Sequence, residues 1–246
     1  MSGLGGAYWA EVIEVLRSVI PFYDRVNKAI SLGNDTKFRI RGVKGRINLG
    51  SLLLDAGSGY GNMSRVVLSE MKGVANIVMY DPIPQMLFTA KELFKTERSS
   101  PSMSAGVFEY LPFKNDTFDA VLCGYSLRDA IVLNKAISEF ARVLRGHGLL
   151  IVVDLGKPDS VLLEKFVSFY LRYVLGIIAF VVAGRAGLKF RTLHGTYLKW
   201  PKNSVLKEIL NEHFDKVEFE TKLLGGAIII AARRSAKRIE HQPARD

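Results

Sequence analysis

The chain has 246 residues, of which 48% are hydrophobic and 24% charged, so it can form one large α/β domain and is neither fibrous nor broadly disordered. Its single cysteine, Cys123, excludes an intrachain disulfide and favours a reducing compartment, and its four histidines lack zinc-ligand spacing, so we expect no metal. The formal net charge of +10 is compatible with binding to nucleic acid, anionic lipid or acidic substrates, and the charge alone does not distinguish these partners.

The first forty-six residues are predicted to be helical and to cover a site. Apolar residues at helical spacing predict a helix over residues 7–19, which Pro21 ends. The start of the chain lacks the basic, apolar and small-residue regions of a signal peptide. Residues 37–46 are basic and are predicted to form a helix that leads into the main domain. We therefore assign residues 1–46 to an N-terminal helical segment.

From residue 51 onward, short apolar runs alternate with helical patterns. Strands are predicted at 51–57, 76–81, 102–108, 118–124 and 149–154, with helices at 63–71, 84–94 and 133–144 and a closing hairpin at 216–222 and 227–232. This alternation predicts a Rossmann-like α/β fold: a seven-stranded, mostly parallel sheet with an antiparallel C-terminal hairpin and helices on both faces.

The main domain is predicted to span residues 47–232, with a helical insertion at about 160–200. Its apolar helix, over residues 161–183, is followed by a predicted loop. The helix carries four large rings, Phe166, Phe169, Tyr170 and Tyr173, that we expect to flank an apolar cleft; the alternative is that they only cover the sheet. The part from Tyr173 to Gly184 is too short to span a bilayer and is bounded by Arg172 and Arg185, so it is expected to be buried or to lie at a membrane surface. Residues 233–246 are predicted to be a basic flexible tail.

A glycine-rich segment, LLLDAGSGYGNMS, lies between a predicted strand and a predicted helix. It contains Asp55, Gly57, Gly59 and Gly61, and glycines there permit positive φ and close approach of a ligand to the backbone. The alternative is a plain strand-to-helix turn. The spacing differs from the dinucleotide fingerprint, and an acid suits the positively charged methionine part of S-adenosylmethionine better than it suits a pyrophosphate. We therefore expect S-adenosylmethionine, with S-adenosylhomocysteine as product, rather than NAD.

A second acid, Asp81, closes the next predicted strand. At that position a carboxylate can accept both hydroxyls of a ribose, although it could also only cap the following helix. Asp81 and the glycine-rich segment both lie at carboxyl ends of strands, where ligands bind in open α/β sheets.

Four segments in order resemble the ubiquinone/menaquinone biosynthesis C-methyltransferases, which are class I S-adenosylmethionine-dependent methyltransferases. They are LLLDAGSGYG, VMYDPIPQML, FEYLPFKNDTFDAVLCGYSLRD and ARVLRGHGLLIVVDLGKP. PFYDRVNKAISLG and LLGGAIIIAA extend the resemblance to roughly residues 21–232. It implies C-methylation of a quinol or phenolic, lipid-like ring in quinone biosynthesis.

The resemblance also implies site residues. Asp55, Gly57 and Gly59 would bind the methionine part, Asp81 the ribose, and Glu109 would lie in the adenine loop. Arg128 would help to activate the quinol ring. Apart from the resemblance, Asp129, Asp154, His194 and Tyr197 are further catalytic candidates in or near the expected cleft. The full set of candidate cofactor-binding residues is Asp55, Gly57, Ser58, Gly59, Gly61, Asp81, Pro82, Val107, Phe108, Glu109, Tyr125 and Ser126.

Two positions depart from the family pattern. Val107 replaces the usual Asp or Asn that hydrogen-bonds the adenine amino group, which predicts a weaker adenine contact. The segment RTLHGTYLKWP has His194, Gly195 and Thr196 where the family usually has R-Y-L-x-E-S-I. The acceptor therefore stays open between a lipid-like quinol and another small molecule, and a cofactor-binding protein without turnover is a further alternative.

Expected partners follow from these patterns. Methyltransferases that modify amino groups of nucleic-acid bases typically carry an N/D-P-P-Y type of segment after the fourth strand. This chain has GYSLRD there, so no nucleic-acid partner is expected. We expect a cytoplasmic protein that associates weakly with the inner face of the membrane. The sequence does not choose between a monomer and a homodimer.

Overall fold

The computed structural model describes residues 3–20, 33–72, 75–95 and 100–236. Seven strands form one sheet in the order β3-β2-β1-β4-β5-β7-β6. Strands β1 to β5 are parallel, and β7 is antiparallel to both β5 and β6. The strands are β1 (Leu52–Ala56), β2 (Asn76–Asp81), β3 (Ser102–Ala105), β4 (Phe118–Gly124), β5 (Leu144–Leu155), β6 (Lys216–Lys222) and β7 (Ala227–Arg233). The predicted Rossmann-like sheet with its antiparallel C-terminal hairpin is confirmed.

Helices lie along the chain between these strands. The α-helices are α1 (Gly6–Val19), α2 (Asn34–Val43), α3 (Asn62–Glu70), α4 (Pro84–Leu93), α5 (Leu133–Val143), α6 (Val161–Phe169), α7 (Leu175–Ala183), α8 (Thr192–Lys199) and α9 (Asn203–Asn211). Short 3-10 segments occupy Leu127–Asp129, Gly184–Arg191 and Leu223–Gly225. Two separate hydrophobic clusters cover the two faces of the sheet, as expected for a parallel sheet with continuous apolar strands.

The apolar region after β5 differs from the single long helix that its composition predicts. A π-helical segment, Tyr170–Val174, separates α6 from α7. The following residues, predicted as a loop, form the 3-10 segment and α8 instead. Tertiary contacts explain the change, because Leu171, Leu175, Ala179 and Tyr197 pack into a small core of their own. None of the helices in the described part of the chain is long and apolar enough to cross a bilayer.

Two of the predicted segments lie wholly or partly outside the described residues. The Y-D-x-x-N segment lies within residues 21–32, outside the described residues, as do residues 237–246 of the predicted basic tail. The tail is predicted to begin at residue 233, and the described structure continues to residue 236. Arg233 is the last residue of β7, and Arg234 is buried and forms an ion pair with Asp116.

Candidate active site

The turn between β1 and α3 is built for a ligand to approach its backbone. Gly57 has φ +68, and a Cβ there would lie 2.3 Å from Ser126 Oγ and 2.8 Å from Phe108 Cζ. Gly61 has φ +81, and a Cβ there would lie 2.6 Å from a ring carbon of Phe94. Both the backbone conformation and the lack of space therefore require glycine at these two positions.

Asp55, at the end of β1, is fully buried beside this turn. Its Oδ2 accepts hydrogen bonds from the backbone N–H of Ser64 (3.0 Å) and from Ser64 Oγ (2.6 Å). Its Oδ1 has no hydrogen-bond partner among the described residues. Burial raises the pKa of Asp55 to about 6, while the two hydrogen bonds from Ser64 and the charge of Arg39 act against that rise. A buried acceptor without a partner is costly unless a ligand donates to it, so Asp55 fits a cationic or N–H-bearing ligand.

Asp81, at the end of β2, holds the glycine-rich turn in place. Its Oδ2 accepts the N–H of Gly59 and its Oδ1 the N–H of Ile83, both at 2.8 Å. Burial is also the main cause that raises the pKa of Asp81, to about 6. Because each carboxylate oxygen can accept more than one hydrogen bond, Asp81 keeps free capacity for ligand hydroxyls.

The segment after β3 provides the opposite wall. The Tyr80 hydroxyl donates to the Val107 carbonyl (3.1 Å), and Glu109 Oε1 accepts the N–H of Val132 (3.0 Å). Phe108 packs edge-to-face on Phe140, with ring centroids 5.4 Å apart. This wall therefore presents one aromatic ring and one carboxylate at fixed positions.

These elements line what we call the glycine-loop cleft. Every predicted cofactor-binding residue lines it except Gly61, which instead shapes the start of α3. The lining residues that sequence reasoning missed include Trp9, Ile13 and Leu16 of α1 and Arg39 of α2, whereas Asp129, one of the catalytic candidates from the sequence, also lines the cleft. Two features of the sequence could have indicated the missed residues. One is the helical spacing of apolar residues in α1, and the other is the basic residue Arg39, one turn before Val43 at a position facing the sheet.

A second, larger cleft adjoins the first, and we call it the apolar cleft. Its walls come from α2, α6, α8, the π-helical segment and the β6–β7 turn. Arg39 and Tyr125 line both clefts. Of the four rings expected to flank such a cleft, Phe166 and Tyr170 line it, while Phe169 and Tyr173 are exposed and pack on each other.

The mouth of the apolar cleft carries two exposed leucines. Leu223 and Leu224 have φ of 52° and 57°, and they are 63% and 72% exposed. Positive φ at consecutive non-glycine residues is uncommon, and residues in such strained backbone conformations cluster at active sites and ligand-binding sites.

Arg128 and Asp154 form a buried pair at the wall of the apolar cleft. Arg128 Nη1 donates to Asp154 Oδ1 at 2.6 Å and to the Tyr125 carbonyl at 2.7 Å. Asp154 is fully buried and lines neither cleft, whereas Arg128 lines the apolar cleft. Asp154 therefore fixes Arg128 rather than contacting a ligand itself.

His194 is not brought to this site. It lies on α8, where its Nε2 is 2.9 Å from Ser168 Oγ, and it is absent from the lining of both clefts as far as the described residues define them. Burial and the nearby charge of Arg172 lower its pKa. The expected loop is a helix that turns this side chain toward α6, so geometry gives no support for a catalytic role.

The charges of the glycine-loop cleft fit S-adenosylmethionine. Four acids line it, Asp55, Asp81, Glu109 and Asp129, and burial raises the pKa of Asp129 to about 6. A pyrophosphate would be repelled by this set, whereas a sulfonium and an ammonium group would be attracted.

Comparisons with known proteins agree with this reading. The model of the ubiE/COQ5 methyltransferase family matches residues 5–237. A ubiquinone/menaquinone biosynthesis C-methyltransferase UbiE of Geobacter sp. (strain M21) is 26% identical over 208 residues, covering 80% of this chain and 88% of that protein. A demethylmenaquinone methyltransferase of Deinococcus radiodurans is 28% identical over 200 residues, covering 81% and 82%.

Solved structures share the fold. A SAM-dependent methyltransferase of Thermotoga maritima has a TM-score of 0.62 at 15% identity, covering 92% of this chain and 100% of that one. The [4+2]-cyclase SpnF has a TM-score of 0.56 at 19% identity, covering 82% and 81%. Since a cyclase shares it, the fold alone does not fix the reaction.

Proposed function

Because this chain belongs to the ubiE/COQ5 methyltransferase family, we propose that it methylates a ring carbon of a quinol or related phenolic, lipid-like molecule in quinone biosynthesis, with S-adenosylmethionine as donor. The observation that carries the proposal is the junction of two clefts, one acidic and glycine-lined and one apolar, at Arg39 and Tyr125. The names of the relatives from Geobacter and Deinococcus support the acceptor class.

S-adenosylmethionine supplies, when bound, a methyl group that its sulfonium already activates. The residues of the chain would therefore mainly bind, orient and exclude water. Asp81 would accept the ribose hydroxyls, Asp55 Oδ1 would accept an N–H of the methionine part, and Phe108 would contact the adenine. Val107 offers the adenine no side-chain acceptor, so the carboxylate of Glu109 is the candidate for that contact.

The acceptor would lie in the apolar cleft. A phenolic hydroxyl must lose its proton to make the neighbouring ring carbon nucleophilic, and a cation beside it lowers its pKa. Arg128 lines this cleft with one Nη group held by Asp154 and Tyr125. We therefore assign Arg128 as the candidate activating residue and Asp154 as its positioning residue.

The function is tested with a labelled methyl donor and a lipid extract. Wild-type protein is expected to move label into the quinone fraction. The control is Gly57→Val, which should abolish transfer because a side chain there meets Ser126 and Phe108. Label in water-soluble products instead would identify another small-molecule acceptor, and cofactor binding without transfer to any fraction would contradict an enzymatic role.

We also propose that the protein works in the cytoplasm at the inner face of the membrane. Exposed apolar side chains on α6 and α7, among them Leu162, Ile177 and Val181, lie close in sequence to exposed Arg172, Arg185 and Lys189. Apolar insertion together with basic residues near anionic head groups, at about 1 kcal/mol per well-placed Lys or Arg, gives reversible peripheral binding.

Vesicle sedimentation tests this association. Wild-type protein is expected to pellet with anionic vesicles at low salt and to be released at high salt, because screening weakens the electrostatic part. The double variant Ile177→Asp/Val181→Asp should pellet less. Phe88→Asp, which charges an equally exposed ring on α4, should not change the pelleted fraction. Wild-type protein that stays in the supernatant with anionic vesicles at low salt would contradict the proposal.

A further inference from the structure

Arg39 is a buried cation whose position follows from the close packing of α2. A Cβ at Gly42 would lie 3.0 Å from Val153 Cγ2 and 3.2 Å from Ile151 Cγ2, so glycine lets α2 approach β5 closely. Arg39 comes one turn earlier on the same face of the helix and is 5% exposed. The packing therefore directs a charged side chain over the carboxyl ends of the strands.

Only part of the Arg39 guanidinium is used by the protein. Nη1 donates to Asp35 Oδ2 at 2.8 Å, and the group lies over the Tyr125 ring, 4.7 Å from its centroid. Nε is buried and has no hydrogen-bond partner among the described residues. It lies 3.4 Å from the point that a Cβ on Gly124 would occupy, so this donor sits beside the end of β4.

The charges around the glycine-loop cleft single out the Arg39 guanidinium. Among the described residues that line the cleft, Arg39 is the one base beside the four acids already named. S-adenosylmethionine carries a sulfonium, an ammonium and a carboxylate. The acids can take the two cationic groups, but a carboxylate placed near any of them would be repelled.

We propose that Arg39 binds the methionyl carboxylate of the donor through its Nε and thereby orients the sulfonium toward the apolar cleft. This inference rests on the proposed function, since it assigns a contact to the same cofactor. Asp35 and Tyr125 act as positioning residues, because they hold the guanidinium from its other end and from its face. Arg39 also borders the apolar cleft, so its removal would disturb the boundary between donor and acceptor.

Two ligands that differ only in the amino-acid part separate this contact from others. S-adenosylhomocysteine keeps the carboxylate, whereas 5′-methylthioadenosine lacks the whole amino-acid part. Calorimetric titration of Arg39→Met should show the Kd for S-adenosylhomocysteine raised by about tenfold to a hundredfold, as for loss of a charge-assisted hydrogen bond. The Kd for 5′-methylthioadenosine should not change, and this unchanged binding also shows that the variant is folded. Arg39→Lys should recover part of the lost affinity.

The other outcomes overturn the inference in distinguishable ways. Equal weakening of both ligands would make Arg39 a structural residue. Unchanged binding of S-adenosylhomocysteine would mean that Arg39 does not bind the methyl donor and serves only the acceptor cleft. Wild-type protein that binds neither ligand would instead refute the proposed function, since the cleft would then not be a donor site.

Discussion

Replacing Arg128 by methionine is expected to destabilise the fold by about 3–5 kcal/mol, because the carboxylate of Asp154 is then left buried without its cation. Arg128 and Asp154 are 9% and 0% exposed, and their 2.6 Å contact has little solvent to replace it. Urea unfolding of wild type and Arg128→Met measures the difference. Methyl transfer should be lost as well, but that loss alone does not separate folding from chemistry.

The double variant Arg128→Met/Asp154→Leu makes that separation. Removing both charges replaces a buried ion pair with apolar groups, which often restores most of the stability. If Arg128 activates the acceptor, the restored protein should bind S-adenosylhomocysteine normally and still fail to transfer methyl groups. Recovery of transfer together with stability would show that the pair is structural only.

The sequence was sufficient to predict the sheet and the part of the glycine-loop cleft that lies at the ends of its strands. Asp55 and Asp81 lie at the carboxyl ends of the buried parallel strands β1 and β2, Gly57 directly follows β1, and carboxyl ends of such strands meet at one edge. Local spacing therefore already determines which side chains come together. The same logic placed Ser126 after β4, where its hydroxyl donates to the Ala56 carbonyl at 3.1 Å.

Residues that reach the site from elsewhere could not be placed in this way. Arg39 and Trp9 line the cleft because whole helices pack across the strand ends, and helix placement depends on tertiary contacts such as those of Gly42. His194 illustrates the reverse case. The sequence makes it a catalytic candidate near the cleft, whereas α8 forms where a loop is expected and His194 lies against Ser168.

The Arg128–Asp154 pair illustrates an intermediate case. Arg128 follows β4 and Asp154 lies near the end of β5, so their nearness to the clefts was predictable from the sequence. Their pairing was not, because it depends on the 3-10 turn Leu127–Asp129 that points Arg128 back toward β5. A list of candidate acids and bases thus becomes a mechanism only when the partners of each charge are known.

Replacing Asp81 by alanine is expected to raise the Kd for S-adenosylmethionine by about tenfold to a hundredfold, since a charge-assisted contact to the ribose is worth roughly 1.5–3 kcal/mol. The structure adds a second cause, because Asp81 also accepts the N–H groups of Gly59 and Ile83 and so holds the glycine-rich turn. Titration calorimetry should be done well above pH 6, where the carboxyl is ionised even with its raised pKa of about 6.

A pair of nucleosides separates the two causes. Wild-type protein should bind 5′-methylthioadenosine more tightly than its 2′,3′-dideoxy counterpart, because only the first offers ribose hydroxyls to Asp81. In Asp81→Ala this preference should disappear, whereas a loss that comes only from a loosened turn would weaken both nucleosides equally and keep the preference. Persistence of the wild-type preference in the variant would therefore refute the ribose contact, and an unchanged Kd for both would refute any role of Asp81 in the donor site.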